Sequence, residues 1–531
     1  MALFYAAAPP LRHAEIINEV YLNTNQTSGG ALRKACVLLS ACLIAVANPL
    51  AFTGPAVAIP TLGRALEGSS LELAWISNAF MLAFGSCLMA AGALADTFGR
   101  KKIFLCGSCA LCIVSAALAF SPNLFTADLL RAAQGVASAL AFSGVMAALA
   151  QEFTGPGAIR AFSVVGTSFG IGLAFGPISS GLMIAIFGWR SIFFLAAVLA
   201  GAAFLLGTGV VRESRDPDAA GLDWKGAVSF TAALAFLTNG ILVAPAAGWL
   251  AMPVIVSLAG ALLLGAVFVR VETSARRPML DLSLFRIPRF VAVQLLAAAP
   301  AYAFVVLLVL LPIRLVGING MSELKVGWIM MALCGPLLVL PLIAGLLTRW
   351  FSAAALCGTG LMLSAGGLLW LGRWAGGEAG PALIAPLLLI GIGISLPWGL
   401  MDGLALSVVP RERAGMATGI FNTTRVAGEG IALAMVNALL VALLIPRFDS
   451  LLPEAPSSAS AAAQRLAGGD LAGSNAALNA SSPEALTAIY QSVFSLLLDV
   501  LSAIAAITAI VIFIALRGAG RTAELTRSSN P

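Results

Sequence analysis

An all-α polytopic membrane protein of fourteen helical spans is what this sequence predicts, on three observations. Of its 531 residues, 60% are hydrophobic and only 10% are charged, with a mean hydropathy of +0.99. A soluble globular chain carries about a quarter charged residues, so the three or four soluble domains that this length would otherwise suggest are excluded. Apolar runs recur along the chain with short polar loops between them, and about 20 helical residues cross a hydrocarbon core of about 30 Å. Finally, Lys and Arg concentrate in alternate loops, the bias that fixes orientation in a membrane.

In chain order the runs are 35–58, 74–95, 103–121, 126–150, 162–184, 191–210, 226–246, 250–270, 290–314, 326–347, 353–372, 382–407, 415–444 and 487–516. Residues 1–34 do not read as a cleaved leader, because Ala6–Ala8 is followed at once by Pro9-Pro10 and then by polar sequence. They are expected to form a cytoplasmic tail. With that end inside, 21 of the 30 Lys and Arg lie in cytoplasmic segments. Seven (Arg64, Arg190, Arg314, Lys325, Arg373, Arg447 and Arg465) lie in periplasmic ones, and Arg131 and Arg425 fall within spans. The bias expects both termini in the cytoplasm of an inner-membrane protein and an even number of spans. Residues 446–486 form a periplasmic loop rich in Ala and Ser; it has room for a short helix, but its composition argues against a packed domain.

Composition also removes several chemistries. The single histidine, His13, excludes HExxH zincins, Ser-His-Asp triads and His-rich metal sites. All eight cysteines fall in apolar runs. Cys106, Cys109 and Cys112 share a helix face, but one helix cannot enclose a metal with three thiols, so packing is the simpler reading. No metal and no cofactor are expected. The net charge of +6 includes no basic run longer than Arg100-Lys101-Lys102, which points to cytoplasmic loops and not to nucleic acid.

Three motifs carry mechanism. After the second run comes Gly92-Ala-Leu94-Ala-Asp96-Thr-Phe98-Gly99-Arg100-Lys101-Lys102. Its glycines allow a tight turn and close helix approach, and its charges can latch two helix bundles in one state and release them in another. Read alone, it is equally a positive-inside turn. In the fourth run, Arg131-Ala-Ala-Gln134-Gly135 places a charge where lipid makes it costly, so Arg131 either faces a cavity or partner or snorkels to the nearby interface. In the fifth run, Gly170, Gly172, Gly176-Pro177 and Gly181 make a smooth, kinked face on which a neighbour can slide.

The first motif resembles the G-x-L-a-D-r-x-G-r-k/r-k/r loop of the major facilitator superfamily. The second resembles that family's R-x-x-Q-G element, and the third its g-x-x-x-G-P-x-x-G-G element, associated with exporters, with Ser180 replacing the first of the final glycine pair. Gly221-Leu-Asp223-Trp224-Lys-Gly226, Arg277-Pro278-Met-Leu280-Asp281-Leu-Ser-Leu284-Phe285 and Val409-Pro410-Arg411-Glu412-Arg413-Ala-Gly415-Met-Ala417 look like connectors of its 14-span drug:proton antiporter branch, EmrB/QacA-type. The resemblance implies a major facilitator fold. A six-helix bundle over 35–210 and a second over 290–516 would flank a linker, 211–289, that carries two extra helices, with 517–531 as a cytoplasmic tail. A faint internal repeat lays Gly345, Leu347 and Phe351 on Gly92, Leu94 and Phe98, with Arg349 where Asp96 stands.

A coupled antiporter needs an intramembrane ionisable group. The resemblance places an aspartate nine residues before the proline that closes span 1. Here that proline is Pro60 and the position holds Ala51, with Thr53 and Asn48 nearby. Of the remaining deep carboxylates Asp402, Glu429 and Asp499, the fold implied puts span 12 on the central cavity, so Asp402 ranks first. It could equally cap the next loop. Glu429, one turn after Arg425, is either its pair partner or a transport group, and Asp499 reads as structural. Arg131 and Gln134 are expected to shape the site. Asn78, Pro397, Trp398, Tyr302 and Phe304 are candidate cavity wall, and Asp96, Arg100 and Glu152, with Gly92, Gly99 and Lys101, form the expected gating cluster.

Together these imply an alternating-access exporter of small amphipathic compounds or drugs, driven by protons and working in the lipid bilayer, and no enzyme. A narrow-specificity metabolite exporter or uniporter is the alternative that Ala51 favours. A non-transporting sensor or scaffold is the alternative of another class. Some relatives in double-membraned bacteria work with a periplasmic adaptor and an outer-membrane channel, so the resemblance leaves such partners open.

Overall fold

The structure, a computed structural model, describes residues 13–66, 68–153, 156–216, 223–274, 280, 282–374, 380–409, 414–449, 456–478 and 483–516. Among these, fourteen helices are long and apolar enough to cross a membrane. Spans 1 to 6 are Leu32–Leu66, Leu71–Phe98, Arg100–Leu118, Leu124–Glu152, Arg160–Phe187 and Ser191–Val210. Spans 7 and 8 are Trp224–Ala247 and Met252–Ser274. Spans 9 to 14 are Pro288–Ile318, Glu323–Leu347, Ala353–Gly372, Pro381–Ala405, Ile420–Asp449 and Pro483–Ala515. The tail expected over 1–34 is helical from His13 on, continuous with span 1 in one helix, His13–Leu66. The connector residues 221–222, 277–279, 281 and 410–413, and the tail 517–531, lie outside the described residues.

Spans 1 to 6 pack on one another through the pairs 2–4, 3–4, 1–5, 1–6 and 3–6, and spans 9 to 14 through 11–12, 11–14, 10–12, 9–13 and 9–14. These are two six-helix halves. They meet along span 5 against span 10 and span 2 against span 13. Span 7 lies in the groove between spans 2 and 13, touching both halves, while span 8 packs chiefly on span 7 and buries only 17% of its apolar window. Exposed Trp224 and Trp350 at one membrane face and Trp249 and Trp328 at the other mark the interfacial belts where amphipathic rings settle.

Three spans are interrupted. Span 9 opens into wide turns at Ala301–Val305 and Ile313–Ile318. Span 10 tightens to a 3₁₀ turn at Gly335–Leu338, ahead of Pro341. Span 12 runs Pro381–Trp398, with Pro397 inside its last turn, and resumes as Met401–Ser407. Proline removes a backbone donor and crowds the preceding turn, and such breaks are tolerated in a membrane only where neighbours satisfy the backbone.

The 446–486 loop departs from its expectation. It carries two helices, Pro456–Ala467 and Leu471–Leu478, that cap the ends of spans 2, 7, 9 and 13. Ala459, Ala462, Ala463 and Leu466 are fully buried there, Ser474 Oγ donates to the Ala462 carbonyl at 3.0 Å, and Gly469 takes φ +83 where it presses on Gly317. The small side chains that looked like linker composition are what permit that close approach. This end is called the capped face below, and the end with the 2–3 loop the basic face. Arg314, assigned to a loop from sequence, is instead buried inside span 9. It donates to the Gln491 side chain and, at 3.1 Å, to the Trp374 carbonyl, with Trp374 and Phe494 rings on its guanidinium.

The two halves are closed at the capped face. Thr61 Oγ1 donates to Glu323 Oε1 at 2.7 Å, a Cβ on Gly181 would lie 2.5 Å from the Glu323 carbonyl, and one on Gly327 would lie 2.7 Å from Ile178 Cα. Towards the basic face, Leu340–Leu347 packs on span 12 of its own half and makes no extensive contact with span 5. Among the described residues, spans 5 and 10 part there.

Candidate functional site

At mid-depth a cavity of about 460 Å³, its mouth included, takes wall from both halves. Spans 1, 2 and 5 supply Asn48, Phe52, Phe80, Phe84 and Phe169; spans 9, 12 and 13 supply Leu308, Trp398, Arg425 and Glu429. Glu429 is 7% exposed. Arg425, one helical turn earlier, lies 5.7 Å from the centre of the Trp398 ring, and no ion pair joins it to Glu429 among the described residues. Asn48 is buried with both its amide nitrogen and its oxygen unpartnered. A carboxylate, a cation and an open amide in an aromatic enclosure are groups that match an amphipathic molecule with a charged or hydrogen-bonding end.

Behind the Phe80 ring sits Arg131, fully buried with its guanidinium 4.5 Å from the ring centre. It donates from Nε to the Ile76 carbonyl and from Nη1 to the Ala51 carbonyl, each at 2.7 Å, and also to Gln134 Oε1. Gln134 Nε2 passes on to Ser115 Oγ at 2.7 Å. Arg131 therefore does not snorkel; it ties spans 1, 2 and 4 together. The backbone of Ala51 receives the guanidinium at the very residue where the resemblance expected a carboxylate.

The other expected residues scatter. Asp402 is exposed in the first turn of Met401–Ser407, beyond the break in span 12, and is not part of the cavity wall. Asp499 is ion-paired with Arg373 at 3.1 Å. Tyr302 Oη donates to Thr508 Oγ1 at 2.6 Å, towards span 14. Phe304 is buried 6.1 Å from the Trp398 ring, outside the wall itself. Asn78 lines a different pocket, nearer the capped face. Sequence reasoning passed over the phenylalanines of spans 1, 2 and 5, whose spacing is indistinguishable from ordinary packing.

At the basic face Arg100 Nε and Nη2 donate to Asp96 Oδ1 at 3.0 and 2.9 Å. The Arg100 amide bonds the Ser214 carbonyl, Asp216 N the Asp96 carbonyl, and Lys101 Nζ the Thr208 carbonyl. Gly99 holds φ +116, and a Cβ there would lie 2.5 Å from the Glu213 carboxylate. The partners other than Asp96 belong to span 6 and to the segment just after it. A Cβ on Gly92 would meet open space. Glu152 stands apart from the cluster, in a two-pronged pair with Arg33 at 2.6 Å. On span 5, Gly172 meets the Val46 backbone, Gly176 the Thr53 side chain beside Pro177, and Gly181 the Glu323 backbone. Gly181→Val is expected to pry spans 5 and 10 apart at the capped face. In a cysteine-free background, a cysteine at the buried Ala438 should then label several-fold faster with a membrane-impermeant maleimide.

The family profile of the Major Facilitator Superfamily matches residues 41–433. The tetracenomycin C resistance and export protein of Streptomyces glaucescens is 28% identical over 388 residues, 72% of each chain. The multidrug efflux pump LfrA of Mycolicibacterium smegmatis is 27% identical over 450 residues, 82% of this chain and 85% of that one. Among solved structures, a bacterial homologue of the human lysosomal transporter Spinster, inward-facing and unoccupied, superposes with a TM-score of 0.61 at 16% identity. That superposition covers 91% of this chain and 97% of the other. The peptide transporter POT superposes at 0.60 and 14% identity, covering 91% and 95%. The chain belongs to the Major Facilitator Superfamily, in its 14-span branch, and is a multi-pass membrane transporter and not an enzyme.

Proposed function

We propose that this transporter exports small amphipathic compounds across the inner membrane by alternating access, in exchange for protons, with the basic face and both termini in the cytoplasm. The observation that carries the reading is Glu429: a carboxylate buried in an aromatic cavity built by both halves, one turn from Arg425 and with no ion-pair partner of its own among the described residues. An ionisable group inside a membrane cavity is one on which a proton can be carried, and a substrate with a polar or cationic end entering the cavity competes for the same group. The parted basic face then corresponds to the state that loads from the cytoplasm. The names of the tetracenomycin exporter and LfrA support the direction and the substrate class. The partners of this reading are the substrate, protons and the bilayer.

Energised inverted vesicles carrying a pH-sensitive acridine dye test it. Addition of lipophilic cations is expected to restore fluorescence in vesicles containing the protein and not in empty ones. No response across the panel, with the protein inserted and folded, would leave the narrow-specificity metabolite exporter or uniporter. Ala51, which takes the place of a carboxylate beside Arg131, is the observation that favours that second reading.

A further inference from the structure

A second pocket, of about 790 Å³ with its mouth included, lies nearer the capped face and apart from the central cavity. It is roofed by Gln464 of the capping helix, and its walls come from spans 1, 2, 7, 9 and 13. The lining is apolar but for a few groups. Two of these, on span 2, are decisive. Ser77 and Asn78 are each 1% exposed; Ser77 Oγ has no partner, and Asn78 spends its amide nitrogen on the Ala74 carbonyl at 2.9 Å while its Oδ1 accepts nothing. A buried acceptor without a donor costs about 1–3 kcal/mol, and such exceptions call for an explanation.

We propose that this pocket binds a neutral, lipophilic molecule carrying one hydroxyl, which donates to Asn78 Oδ1 and accepts from Ser77 Oγ while its apolar body lies against Leu433, Ala438 and Leu242. The lining has the character of small-molecule sites, which are mostly apolar with a few placed polar groups. Because both halves, span 7 and the cap all contribute wall, the site exists as such only while the capped face is closed. Its occupant therefore stabilises the closed arrangement by its differential affinity for it, and inhibits turnover without competing at the central cavity.

The probes are 4-butylphenol and its methyl ether, which differ by the donor alone. Thermal unfolding of the purified full chain in detergent is expected to shift upwards with the phenol, at a concentration at least about tenfold lower than with the ether, as a lost hydrogen bond to a buried acceptor implies. Asn78→Leu combined with Ser77→Ala should bring the two probes together. Ala438→Phe, which fills the pocket, should remove both shifts. Should that variant fail to fold, Ala246→Phe, at an exposed wall position of span 7, serves the same purpose. Equal shifts for phenol and ether in the wild type would overturn the donor and leave an acyl-chain groove. Shifts that persist in the folded filled variant would overturn the site.

Discussion

Glu429→Gln is expected to abolish substrate-dependent proton movement in inverted vesicles, a loss of about 100-fold or more, while Asp402→Asn keeps most of it. The glutamine keeps the shape and hydrogen-bonding reach of the side chain and removes only the titration. If Glu429 is the exchange group, downhill substrate flux should survive in the variant while uphill export is lost, because coupling and binding then separate. Glu429→Asp, which retains the carboxyl on a shorter stem, is expected to recover part of the coupled rate. Asp402 supplies the contrast: it is exposed beyond the span 12 break and lines no wall of the cavity, so neutralising it leaves the cavity unchanged. Loss of coupling in Asp402→Asn with Glu429→Gln unaffected would reverse the assignment.

Arg131→Leu is expected to destabilise the purified protein by about 3 kcal/mol or more, read as a lowered unfolding temperature in detergent. The leucine would orphan Gln134 Oε1 and the Ala51 carbonyl, whose i+4 residue is Pro55 and has no N–H. Each such buried acceptor costs about 1–3 kcal/mol, and the Ile76 carbonyl would lose its second donor. It would also remove the cation from the Phe80 face. Arg131→Lys should recover only part of this, since an ammonium cannot present the planar fork that reaches three acceptors in different directions. An Arg131→Leu protein that melts like the wild type would mean that these contacts are not structural.

The fourteen spans were legible because hydrocarbon thickness translates directly into a run of residues. In span 6 the expected 191–210 and the observed Ser191–Val210 coincide. What escaped was rotation about the helix axis. A wide turn adds a residue to the coil, so past Ala301 the side chains of span 9 no longer follow a regular wheel, and Tyr302 faces span 14. The break at Gly399 and Leu400 does the same to Asp402. Depth along a helix is readable from sequence, whereas azimuth is readable only where the helix is regular, as it is through Arg425 and Glu429 in span 13. The capping helices escaped for a different reason. Alanine is silent about whether it packs, and the partners that bury it, such as Gly317 for Gly469, are remote in sequence.

Span 7 packs on both span 2 and span 13, and Leu242 and Asn78 share a pocket wall towards the capped face. Two halves that part along a central cleft would ordinarily leave a slit to the lipid on each flank. In this protein the inserted helix bars one of them along its height. Among the described residues no inserted helix covers the opposite flank, between spans 5 and 10, so the molecule is asymmetric about a cleft whose two halves are built alike.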